Sequence, residues 1–171
     1  MDEFNKALKA YEQKWHALTT GRNNEAFFAA LKPTAFGWKT KDISEFNAWH
    51  NKLRDLSDQI HLGWVNERWL ATFHLKGDPM HLDMRVIKIM QRRPQSTDAI
   101  GLDHVDFYTP DISAAEELLK KEDLKWTRET NGDHCKWLSV WFDGTEAKVR
   151  TDTVLRVCSD ELIETENRIL E

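Results

Sequence analysis

One short segment occurs twice. Thr40-Lys41-Asp42-Ile43-Ser44 returns as Thr109-Pro110-Asp111-Ile112-Ser113, and the two threonines stand 69 residues apart. The order of elements around the copies repeats too, and a duplication constrains architecture before any single residue does. Each copy follows a short strand and opens a helix. Asp42 precedes Glu45 by three residues, the spacing of a capping box, and Asp111 caps the second helix. The first helix carries Ile43, Phe46, Trp49, Leu53 and Leu56 on one stripe; the second carries Ile112, Ala115, Leu118 and Leu119. Three strands follow each helix. Gln59 to Val65 and Arg68 to Leu75 form a hairpin about Asn66-Glu67, and Met80 to Met90 alternates as a strand. In the second copy Lys125 to Thr130 pairs with Cys135 to Phe142 across Asn131-Gly132, a strong hairpin signal. A last strand then runs from Glu146 to about Val157. The third strands align as Arg68-Trp69-Leu70-Ala71-Thr72-Phe73 against Lys136-Trp137-Leu138-Ser139-Val140-Trp141.

The expected fold is therefore α+β. Two βαβββ modules, 33–92 and 100–157, form one curled, cup-shaped mixed sheet spanning 33–157. A helical extension, 1–32, precedes it. Within that extension Phe4, Leu8, Tyr11, Trp15 and Leu18 make one apolar stripe, expected to be buried against the sheet domain or a second copy. Gly21 stops that helix, and Pro33 ends a shorter one bearing Phe27, Phe28 and Leu31. A C-terminal helix is expected over 158–171, capped by Ser159. An NTF2-like cone also places helices before strands, but it leaves the second βαβββ copy unexplained.

Composition narrows the function. Of 171 residues 40% are hydrophobic and eight are Trp, which suits a folded domain rather than a disordered chain. The net charge is −5, and Arg92-Arg93 is the densest basic cluster, which argues against a phosphate-neutralising face for nucleic acid. No apolar run has the length of a membrane span, no signal peptide precedes the first helix, and neither Cys has zinc-ligand spacing. A cytoplasmic location is the resulting expectation.

Strand parity sorts the side chains. His104, Asp106 and Tyr108 share the face of their strand opposite Val105 and Phe107. Asp83 and Arg85 oppose Leu82, Met84 and Val86; Lys148, Arg150 and Asp152 oppose Ala147 and Val149. Trp137, Ser139 and Trp141 take the cup face, as do Trp69, Ala71 and Phe73. His61 shares that parity with Gly63 and Val65. The candidate ligand-binding set is thus His104, Asp106, Tyr108, Arg85, Arg150, Trp69, Trp137 and Trp141. An aromatic hollow with two guanidinium groups suits a small molecule with an anionic group.

Gly101-Leu102-Asp103-His104-Val105-Asp106-Phe107-Tyr108-Thr109-Pro110-Asp111 resembles the opening strand of a vicinal oxygen chelate (glyoxalase/bleomycin-resistance) module. The tail Phe142-Asp143-Gly144 … Ser159-Asp160-Glu161-Leu162-Ile163 is similar to the YecM-type branch. The resemblance implies a divalent metal in the cup, held from the first and last strands of the modules. His104 matches the first-strand ligand of the second module, while Ala35 stands at the matching position of the first. Asp83 or Glu146 matches the last-strand carboxylate, and His61 is a replacement candidate. The metal set is then His104, Asp83 and His61, in a site degenerate in its first half. Three functions follow: a small-molecule binding protein, a divalent-metal-dependent lyase, isomerase or dioxygenase, and an interaction module using its terminal helices, with a homodimer among its arrangements.

Overall fold

A computed structural model describes residues 1–65, 67–131, 135–151 and 161–162. Helices α1 (Asp2–Thr19) and α2 (Glu25–Ala30) lead into β1 (Lys32–Thr40), α3 (Ile43–Arg54), β2 (Ser57–Val65), β3 (Arg68–Leu75) and β4 (Val86–Gln91). The second module runs β5 (Gly101–Tyr108), α4 (Ile112–Leu119), β6 (Lys125–Asn131), β7 (Cys135–Phe142) and β8 (Thr145–Arg150). One mixed sheet results, in the order β6-β7-β8-β5-β1-β4-β3-β2, to which β9 (Glu161–Leu162) adds beside β2.

Each module has the same internal order. Its first strand lies parallel to its last, which pairs antiparallel with its third. The modules join where β1 and β5 run antiparallel. Their register carries the duplication: Gly37 faces His104 and Ala35 faces Asp106, so two positions 69 apart exchange partners across an approximate twofold axis. Both first strands are also bulged. The register slips at Thr34, between Pro33 and Ala35, and at Asp103, between the partners of Gly37 and Trp38. Thr34 and Asp103 are again 69 residues apart.

Local chemistry explains the helices. Asp42 accepts from the Glu45 amide at 3.0 Å, and Glu45 reaches back to the Lys41 amide at 2.7 Å, satisfying donors that a helix start leaves open. Asp111 accepts from the Ser113 and Ala114 amides. All four described helices pack on one face of the sheet. Phe4, Leu8, Tyr11 and Trp15 are buried there, with Phe4 4.8 Å from the Trp38 ring and Trp15 stacked 4.9 Å from Phe107. The stripe of α1 is thus consumed by the chain's own sheet. Residues on the helix-free face are buried as well: Thr72, Lys88, His104, Asp106 and Glu146 are at most 7% exposed. Among the described residues no helix covers them, and the helix-free face is the inside of a cup.

Three expectations are corrected. Residues 80–90 do not form one strand: His81–Asp83 is a single 3-10 turn in which Leu82 and Asp83 have positive φ (63° and 58°), and β4 begins only at Val86. That turn uncouples Asp83 and Arg85 from the alternation of β4, and both are exposed. Arg85 hydrogen-bonds the Gly77 carbonyl instead of facing the cup. Parity within β4 also reverses the expected faces, since Ile87 and Ile89 join the core while Val86 and Lys88 lie on the cup side. Secondly, the third strands align one residue away from the sequence match. Leu70 pairs with Met90 as Trp137 pairs with Arg150, so Leu70, not Trp69, occupies the place of Trp137. A one-residue slip exchanges faces, and Trp69 and Phe73 accordingly pack with the core. Thirdly, Glu161–Leu162 pairs with β2 as a strand rather than continuing a helix. The remainder of the expected C-terminal helix, and of the last strand beyond 151, falls outside the described residues.

Candidate functional site

Small residues on β1 shape the floor of the cup. Ala35 and Gly37 leave space beside β5, and His104 lies over Gly37: a Cβ added there would stand 2.3 Å from His104 Cε1 and 2.8 Å from Met90 Cε. Real Cβ contacts are never that short. Gly37→Ala therefore must displace the imidazole, with an expected loss of about 1–3 kcal/mol. Urea unfolding measures the loss, and a moved His104 C2 proton resonance reports the displacement.

Charges of both signs interlock around this point. Lys88 on β4 crosses the side-chain-poor β1 and donates to Asp106 on β5 at 2.6 Å. Arg150 stands 3.4 Å from the other Asp106 oxygen. His104 Nδ1 lies 2.8 Å from Asp103, and its Nε2 3.5 Å from Asp106. Lys39 binds Asp103 at 2.6 Å and Asp98 at 3.0 Å. Glu146 accepts from the Ser139 hydroxyl, with Lys148 3.6 Å away. Ser139 in turn accepts from the Trp137 indole at 2.9 Å, and Lys148 and Arg150 both lie over that ring, at 5.4 and 5.7 Å.

Burial works to raise the pKa of Asp103 and Asp106, but their polar and charged neighbours overcome it. His104 and Lys39 hold Asp103 well below the usual carboxylate range, and Lys88 and His104 do the same for Asp106. A carboxyl depressed in the folded state adds stability above its unfolded pKa of about 4 and loses that contribution as pH falls through and below this value. The melting temperature is therefore expected to fall steeply below about pH 4, and less steeply in Asp103→Asn. A variant with an unchanged acid limb would contradict this.

Of the sequence-derived candidates, the fold brings His104, Asp106 and Arg150 together, with Tyr108 on the same face and half-buried, and Trp137 and the more exposed Trp141 on the adjoining wall. Arg85 and Trp69 are not there. Among the described residues, the donor atoms that gather as a metal site would require belong to Asp103, His104 and Glu146, within 4.8 Å of one another. Neither Asp83 nor His61 belongs to this group; His61 lies 5.7 Å from the His74 ring on the first-module wall. Alternation hides Asp103, because only the bulge turns it to the face of His104. Sequence reading also missed Lys39 and Lys88. For Lys88 the signal was present: a lysine amid Ile and Met on a buried strand needs a carboxylate.

The triad does not fit a divalent ion as it stands. In the first module Ala35 pairs with Val86 where His104 pairs with Glu146 in the second, so those two positions offer no donor. In the second, both His104 nitrogens already face carboxylates, Asp103 at 2.8 Å and Asp106 at 3.5 Å. Asp103 and Glu146 already have ammonium neighbours.

Two buried polar atoms on the opposite wall lack a hydrogen-bond partner among the described residues: Arg68 Nε and Thr72 Oγ1, on the cup side of β3. Burial lowers the pKa of Arg68, against the pull of Asp103. A separate cavity of about 480 Å³ lies on the helix face, between α1, α2 and the sheet, walled by Tyr11, Trp15, Phe28 and Phe107. Its floor is hydrophobic core, and the interlocked charges lie on the other side of the sheet.

No family model matches the sequence, and no curated protein does. Solved structures match the fold. The structural-genomics protein EC4020 aligns with a TM-score of 0.63 at 17% identity, over 88% of each chain. Methylmalonyl-CoA epimerase from Mycobacterium tuberculosis aligns with a TM-score of 0.47 at 11% identity, over 69% of this chain and 85% of its own. The hypothetical protein BH1468 from Bacillus halodurans aligns at 0.47 and 12%, over 72% and 96%. The neighbours include vicinal oxygen chelate proteins, and at these identities the likeness is one of fold. No described helix is long and apolar enough to cross a membrane.

Proposed function

We propose that the chain binds a small anionic organic molecule inside the cup, its acid group against Arg68 and Thr72 and its apolar part toward Trp137 and Trp141. The observation that carries this reading is the pair of unsatisfied buried groups on β3. A buried donor without an acceptor costs about 1–3 kcal/mol, and a ligand carboxylate or phosphate removes that cost. The charge balance supports the same sign. Among the described residues Lys39, Lys88, Lys148, Arg68 and Arg150 outnumber Asp98, Asp103, Asp106 and Glu146 around the cup. An interaction module using the first helix is disfavoured, because α1 has spent its apolar stripe on the sheet.

Benzoate and phenyl phosphate are suitable probes, followed by tryptophan emission and thermal shift. Both are expected to bind and to raise the melting temperature. Arg68→Gln and Thr72→Val should each weaken binding by about 10-fold, the worth of one charge-assisted hydrogen bond. If neither anion alters emission or melting, the reading fails.

A further inference from the structure

We propose that the ammonium of Lys88 holds the place on the cup floor that this fold gives to a divalent cation, so that the chain carries its own positive centre. The vicinal oxygen chelate arrangement puts a cation between the first and last strands of two modules. Lys88 comes from the last strand of the first module, passes over β1 at Gly37, and ends 2.6 Å from Asp106 on the first strand of the second. Its side chain is 8% exposed and that of Asp106 is 1%, so the contact is sealed from water.

The surrounding residues are consistent with such an exchange. The first-module ligand positions hold Ala35 and Val86, which a metal cannot use but past which a long side chain can lie. Asp106, bound to Lys88, also lies 3.5 Å from His104 Nε2, so the imidazole is engaged by carboxylates at both nitrogens. A dication at the triad would meet Lys39, Lys88 and Lys148 at close range in a buried setting, where like charges repel strongly. This inference stands apart from the anion reading, which concerns the β3 wall.

Titration of the untagged full chain with Co²⁺, followed by visible absorption and calorimetry, tests it. Wild type and Lys88→Arg are expected to take up no Co²⁺ that depends on His104. Lys88→Met removes the ammonium and frees Asp106 and His104; it should bind one Co²⁺ about 100-fold more tightly than wild type, and lose it again when His104→Gln is added. Lys88→Gln replaces that arm if the Met variant does not fold. Two results overturn the proposal: one Co²⁺ bound by wild type and lost in His104→Gln, or a folded Lys88→Met or Lys88→Gln protein with no gain in affinity. If neither variant folds, the wild-type titration decides alone, since His104-dependent uptake refutes the resident ammonium and its absence supports it. Either outcome leaves the benzoate and phenyl phosphate titrations to be judged separately.

Discussion

Asp106→Ala is expected to destabilise the protein by about 3–5 kcal/mol, a large part of the roughly 5–15 kcal/mol that holds a domain of this size together. The carboxylate is buried and shared by Lys88, His104 and Arg150. Deleting it does more than remove contacts: it leaves a buried ammonium without its counter-charge, and burial denies that ion solvation. Loss of one partner of a buried pair is costly for this reason, even where the intact pair adds little. The double variant Asp106→Ala/Lys88→Met is expected to recover part of the loss, because no charge is then stranded between the two. Equilibrium urea unfolding of wild type, both single variants and the double variant gives the coupling directly. A single Asp106→Ala variant within 1 kcal/mol of wild type would show that water reaches Lys88, and the sealed floor described above would be wrong.

The same floor shows where sequence reading succeeds and where it stops. The repeat, the caps at Asp42 and Asp111 and the hairpins are written in local chemistry, and each module's elements occur in the expected order. Parity also placed His104, Asp106 and Arg150 on one face. It failed wherever an extra residue entered the count. The 3-10 turn at His81–Asp83 broke the alternation before β4. The bulge at Asp103 added a carboxylate to the site that strict alternation assigns to the other side. In β3 the visible match of Trp69 with Trp137 was wrong by one position, and every side chain of the strand changed face with it. Period-two arguments contain no information on such insertions, since register depends on pairing with strands distant in sequence. Of the buried lysines Lys88 was legible in principle, because it interrupts the apolar run Val86-Ile87-Ile89-Met90, whereas Lys39, followed by Thr40-Lys41, was not. The partner of Lys88 was not legible either: Lys88 reaches Asp106 across an intervening strand, and only the sheet order β5-β1-β4 makes that contact local.

Deletion of residues 1–19 is expected to abolish cooperative folding altogether. Phe4, Leu8, Tyr11 and Trp15 are each at most 9% exposed, and burial of such a side chain contributes about 1.5–3 kcal/mol. Four together amount to roughly 6–12 kcal/mol, comparable to the whole stability of a domain. The loss is not confined to one end of the sheet. Phe4 sits among Phe36, Trp38 and Trp49 of the first module, while Tyr11 and Trp15 pack on Phe107 and Phe142 of the second. Tyr11 also donates to the Glu146 backbone carbonyl at 3.2 Å, which ties the helix to the strand that carries a floor carboxylate. Helix α1 therefore crosses the seam between the modules and shields the core side of both first strands. Without it, an aromatic surface spanning β1 and β5 would face water, and a patch of that kind promotes association. The truncated chain should be aggregated or lack a sigmoidal thermal transition in near-ultraviolet circular dichroism. Phe4→Ala, a smaller lesion, should remain folded with a loss of about 3–5 kcal/mol. A soluble, monomeric 20–171 fragment that melts at the wild-type temperature would mean that the two modules close their core unaided and that the helix is an accessory.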